Sequence, residues 1–175
     1  VTRTMKIVDD EPVVYIQSRL ESQTAFDRPI AWAEHATIGA PFLERGVTVV
    51  DLPAVKSKTR PYTGGANHRL TSDQEFTWPM APTLKGGTVD IRSAPIGLDS
   101  GDHTTSSLDL NKPYAWVTAL HPGKRLMIGW IFKPTDFPWI QNWEFYPKTG
   151  MLARGLEFSA QPFDIPLREA VAMIG

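Results

Sequence analysis

The chain contains no cysteine, so disulfide bonds, thiol nucleophiles and zinc sites built on thiolates are excluded. It has no excess of charge of either sign. Lys and Arg together number 18 against 19 for Asp and Glu, a formal net charge of −1, and no basic run is longer than Lys124-Arg125. This balance offers no electrostatic attraction to nucleic acid or to an anionic membrane, and neither is expected as a partner. No stretch approaches the ~18 apolar residues of a membrane-spanning helix. Val1-Thr2-Arg3-Thr4-Met5-Lys6 lacks the apolar centre of a signal peptide. No Met stands at position 1 and the chain begins as though already inside a strand, which points to a fragment or a processed product. The want of cysteine suits the cytoplasm, the expected location, and equally an exported protein that does without disulfides. There is no phosphate loop, no dinucleotide glycine fingerprint and no nucleophile elbow. The four histidines, His35, His68, His103 and His121, show no i, i+2 or i, i+4 spacing, so no metal centre is expected. Asp102 and His103 are adjacent, but neighbours on a strand point to opposite faces.

Proline and aromatic residues, by contrast, are plentiful: 15 Pro, 13 Gly, 6 Trp and 8 Phe. That mixture suits short strands joined by turns. Runs rich in β-branched and aromatic residues lie at 12–21, 30–38, 47–52, 88–92, 114–120, 126–132, 139–146 and 151–158. About nine or ten strands at this spacing predict an all-β sandwich of antiparallel strands in one domain, residues 1–175. Helical periodicity is nearly absent. Only Ile165 to Met173, with Pro166 in its first turn, predicts a short helix. The polar stretch 56–87, with Gly64-Gly65 and Gly86-Gly87, reads as long loops carrying a short strand.

Glu157 interrupts an apolar strand ending, Arg154-Gly155-Leu156-Glu157-Phe158. Alternation puts Leu156 and Phe158 on one face and Glu157 on the other. There it is either a solvated carboxylate or the lining of a cleft, where burial can tune a carboxylate into a general base. His35 ends an apolar strand just before Gly39-Ala40-Pro41. It is either a partly buried imidazole satisfied by a backbone carbonyl or a proton donor working near neutral pH. Trp130, Phe137, Trp139, Trp143, Phe145 and Tyr146 fall in one stretch. Most of them suit the space between two sheets. Trp139 and Trp143 are candidate platforms for the C–H face of a sugar ring.

Glu34-His35-Ala36-Thr37-Ile38-Gly39-Ala40-Pro41-Phe42-Leu43, Asp136-Phe137-Pro138-Trp139 with Trp143-Glu144, and Arg154-Gly155-Leu156-Glu157-Phe158 with Gln161-Pro162-Phe163 together resemble the aldose 1-epimerase, or galactose mutarotase-like, superfamily. The resemblance spans about Glu11 to Pro166. It implies an antiparallel β-supersandwich, of which this chain is the C-terminal portion, with a sugar-binding cleft on the concave sheet. It implies that His35 is the general acid toward the ring oxygen and Glu157 the general base toward the anomeric hydroxyl, across one cleft and a sugar-ring width apart. Asp102, Trp139, Trp143 and Arg154 are the candidate substrate-binding residues. No metal or organic cofactor is implied. In relatives an N-terminal part supplies a second histidine and a substrate-contacting arginine, and that part is expected to be missing here. The remaining readings are a non-catalytic carbohydrate-binding module and a homo-oligomer joined through an exposed sheet edge.

Overall fold

Proline and glycine recur every few residues, so the β-branched and aromatic runs are cut into short lengths that cross the core once and turn back. The computed structural model describes residues 1–26, 30–61, 67–163 and 166–174. In chain order the first strands are β1 (Thr2–Ile7), β2 (Val14–Arg19), β3 (Ala33–Glu34), β4 (Thr37–Gly39) and β5 (Val49–Asp51). They are followed by β6 (Lys56–Thr59), β7 (Glu75–Phe76), β8 (Met80–Pro82), β9 (Thr88–Asp90) and β10 (His103–Ser107). The last are β11 (Ala115–His121), β12 (Leu126–Phe132), β13 (Trp139–Phe145) and β14 (Ala153–Ser159), with the helix α1 (Leu167–Ile174) after them. The start expected for this helix at Ile165, and the Gly64-Gly65 pair, lie outside the described residues.

The protein is all-β and antiparallel. The large sheet runs β3-β14-β13-β10-β6-β7, with β4 also paired to β14. A three-stranded sheet runs β12-β11-β5, and β1-β2 and β8-β9 form two further ribbons. Alternation then decides what is buried. Ile140 on β13 opposes Phe158 on β14, and Asn142 opposes Leu156, so these four point to one face. Ile140 and Leu156 join Ile38, Val50, Val117, Ala119 and Phe132 in the main core, which lies between the large sheet and the three-stranded one. Phe132 of β12 stacks on Phe158 of β14 at 4.4 Å between ring centroids, and Phe137 meets both rings edge-on. A smaller core, Leu70, Ala81 and Ile91, lies under the β8-β9 ribbon.

Two regions depart from the expected pattern. The stretch 56–87 holds three strands, β6, β7 and β8, instead of one. Strand β10, His-Thr-Thr-Ser-Ser, has no apolar residue, yet its first four residues are buried. Its hydroxyls are held within the sheet instead of by water. Ser106 and Ser57 share a buried hydrogen bond of 2.7 Å, and Thr105 donates to the Ile140 carbonyl.

Candidate functional site

The outer face of the large sheet is assembled by register. Glu157 on β14 lies opposite Gln141 on β13, and Gln141 opposite Thr105 on β10. Two residues along the same face, Thr37 of β4 opposes Gly155 of β14, which opposes Trp143 of β13, which opposes His103. Trp139 opposes Ser159 on the other side of the Gln141–Glu157 row. Trp139 and Trp143 therefore stand on Glu157's face, one on each side of it.

His35 lies between β3 and β4, and its ring is bound at both nitrogens. Nε2 is 3.0 Å from Glu157 Oε1, and Nδ1 is 2.9 Å from Thr37 Oγ1. The two partners differ in access: the His35 side chain is 60% exposed and that of Glu157 11%. An open imidazole thus sits against a largely enclosed carboxylate, an arrangement that can hand a proton to a ligand from the solvent side. The pair is in direct contact and not a sugar-ring width apart.

The rest of the face gives this pair a floor and a rim. Gly155, with no side chain, leaves the volume into which the Glu157 carboxylate fits. Trp143 stacks on the half-exposed Phe145 with centroids 5.8 Å apart and planes at 7°. On the opposite flank the chain after β14 folds back over the sheet. Gln141 Nε2 donates to Ser159 Oγ and to the Gln161 carbonyl, each at 3.1 Å. Phe163 packs edge-on against His103, whose Nδ1 is 3.3 Å from Arg60 Nη1.

Asp102 and Arg154 lie elsewhere. Both are buried on the opposite, interior face. Arg154 Nε donates to Asn142 Oδ1 at 2.7 Å, and its two terminal nitrogens donate to the carbonyls of Arg92 and Ile91 at 2.8 Å. Asp102 accepts from the backbone N–H groups of Arg69 and Leu70 and from Arg69 Nε, all at 3.1 Å. Arg69 Nη2 continues to Glu144 at 2.8 Å. Burial pushes the Glu144 carboxyl above the ordinary carboxylate range, with Arg154 and Arg69 pulling against it. Burial also raises the Tyr146 hydroxyl. These groups form an ionic layer inside the sandwich, with Arg154 and Glu144 on the strand face away from Glu157.

Asp102 and His103 do point to opposite faces, one into the ionic layer and the other onto Phe163. Thr37, Gln141, Phe145 and Gly155 are the site residues that sequence reasoning missed. The parity of β13 could have found Gln141 and Phe145, which alternate with Asn142 and Glu144. Thr37 and Gly155 depend on the β4–β14 pairing, for which the sequence carries no local signal. Among the described residues, no three His, Asp or Glu side chains come together as metal ligands, and no helix is long and apolar enough to cross a membrane. Comparison of the chain with family models, curated proteins and solved structures finds no match in any of the three.

Proposed function

We propose that this chain carries the acid–base centre of an aldose 1-epimerase-like enzyme acting on a free or modified aldose. The observation that carries the reading is the His35–Glu157 contact of 3.0 Å on a sheet face that also bears Trp139 and Trp143. The ring oxygen and the hydroxyl of an aldose share the anomeric carbon, so the acid and the base that act on them must themselves be close neighbours. The sugar approaches from the exposed side of His35, which swings off the carboxylate as it meets the ring oxygen. Glu157 takes the proton of the anomeric hydroxyl while His35 gives its proton to the ring oxygen, and the bond from the anomeric carbon to the ring oxygen breaks. The aldehyde rotates, and the reverse transfers close the ring on the other face. Nothing is consumed, and no metal or organic cofactor enters.

Optical rotation tests this directly. Added to freshly dissolved α-glucose or α-galactose, the protein speeds the decay to equilibrium, and Glu157→Gln slows that decay by roughly a hundredfold or more. Equal decay with wild type and Glu157→Gln removes Glu157 from the chemistry.

The closed contact between His35 and Glu157, beside the partly exposed Trp143–Phe145 stack, supports a second reading, a carbohydrate-binding module. In that case sugar binding saturates with no change in rotation rate, and Trp143→Ala weakens binding by about tenfold. Undiminished binding by Trp143→Ala removes the stacking platform.

A further inference from the structure

Thr37 and Gly155 face each other across β4 and β14, and both touch the acid–base pair. Thr37 Oγ1 lies 2.9 Å from His35 Nδ1 and 3.4 Å from the His35 carbonyl oxygen. A Cβ placed on Gly155 would lie 2.7 Å from Glu157 Oε1, the oxygen that meets His35, and 3.3 Å from Trp143 Cβ. The carboxylate therefore occupies the volume that a side chain at position 155 would fill. We propose that this cross-strand Thr37–Gly155 pair is the seat of the acid–base centre. Gly155 admits the carboxylate by having no side chain, and Thr37 keeps Nδ1 of His35 engaged, so that Nε2 is the nitrogen left facing Glu157.

The hydroxyl of Thr37 suits this role because it both donates and accepts. When His35 is an imidazolium, Nδ1–H donates to Thr37 Oγ1, and the hydroxyl proton turns to the His35 carbonyl oxygen. With Nδ1–H held there, the proton that leaves is the one on Nε2, on the side of Glu157. When the ring is neutral with its proton on Nε2, the hydroxyl donates to Nδ1 instead. Every protonation state of His35 keeps its hydrogen bond to β4. Among the described residues, the charged group against the ring is Glu157 from β14. Thr37 faces it from β4, and β13 brings the uncharged Gln141 and Trp143 to the same face. Glu34 of β3 is engaged with Arg3, Ser18 and Trp32. Thr37 and Gly155 are positioning residues: they act through His35 and Glu157.

The inference rests on the proposed sugar chemistry only for what the pair does; the seat is read without substrate. Ring ¹⁵N spectra of His35 at neutral pH report which nitrogen carries the proton. Wild type and Thr37→Ser keep Nδ1 in a hydrogen bond, and Thr37→Val loses that signature. Gly155→Ala retains the fold, because the atom it meets most closely is the free end of the Glu157 side chain and Trp143 Cβ need give only a few tenths of an ångström, but it loses the Nε2–carboxylate signature just as Glu157→Gln does. With sugar, Gly155→Ala lowers kcat on the order of a hundredfold with KM little changed. Ring signals unchanged by Thr37→Val and Gly155→Ala overturn the seat, even where wild type turns over sugar. Altered signals in a protein that leaves optical rotation untouched support the seat and remove the sugar chemistry instead.

Discussion

Among the described residues, Arg154 is the largest side chain that is completely buried, and its five donors explain why it can be there. Three of its hydrogen bonds, to Asn142 and to the Ile91 and Arg92 carbonyls, tie β14 to β13 and to the segment after β9, and Glu144 supplies a counter-charge at 3.8 Å. Replacing Arg154 with Met leaves those acceptors unmatched and Glu144 short of positive charge, which costs about 3–5 kcal/mol. Urea unfolding would show this as a fall in midpoint. A folded Arg154→Met protein that has lost sugar affinity but kept its stability would return this residue to the binding face. Glu44 gives a second residue-level test. His121 donates from Nε2 to Glu44 at 2.9 Å, and this hydrogen bond holds the Glu44 carboxyl below the ordinary carboxylate range, with Lys124 assisting. A carboxyl with a lowered folded-state pKa contributes stability above its unfolded value, and that contribution is lost as pH falls through the folded value. Glu44→Gln therefore lowers the melting temperature at neutral pH, leaves the acid value nearly unchanged, and so flattens the drop between about pH 5 and pH 3.

Strand β14 shows how one element serves both the core and the site. Arg154, Leu156 and Phe158 point inward and Gly155 and Glu157 outward, so a slip of one residue would drive the Glu157 carboxylate into the core. Leu156 is fully buried, and Leu156→Ala is expected to cost about 2–5 kcal/mol. The ¹⁵N signature of the His35–Glu157 contact should survive at temperatures where the variant stays folded. Losing it below the melting transition would mean that the core positions the pair more tightly than the register alone does. Much of this was readable from residues. The apolar run of β12 predicts Leu126–Phe132, the bounds observed, and the runs for β11, β13 and β14 fall within two residues of theirs. Strand β10 was not legible, because Thr and Ser carry no apolar alternation and their burial depends on hydroxyl partners such as Ser57 from a distant segment. Parity alone also puts Arg154 on the face away from Glu157, whereas the family resemblance grouped them in one site. The adjacency of His35 and Glu157 was not readable from spacing, since it needs β3 and β4 to add beside β14.

At the scale of the whole molecule, the two sheets are unequal, and the smaller one ends in an open edge. Among the described residues, strand β12 is paired only to β11, and it is apolar on both sides: Met127 and Ile131 are exposed on one face, Leu126 and Ile128 on the other. The β1-β2 ribbon likewise presents Met5, Ile7, Val14 and Ile16 on a single exposed face, and a lone two-stranded ribbon is marginal in water. Unpaired backbone flanked by apolar side chains is a template for another strand. The charges at the two tips are complementary, since Asp9, Asp10 and Glu11 follow β1 while Lys124 and Arg125 precede β12. These features predict that copies of the chain associate, with the ribbon of one laid along β12 of the next. Sedimentation velocity should then show a mass that rises with concentration and falls with added salt, as the tip charges are screened. Met127→Lys with Ile131→Lys places two like charges along the edge and should shift the equilibrium at least about tenfold toward monomer, a change of roughly 1.4 kcal/mol. The His35–Glu157 signature, on the other sheet, should be unaffected. A monomer at every concentration, or association indifferent to both lysines, would show that the β12 edge is not where copies meet.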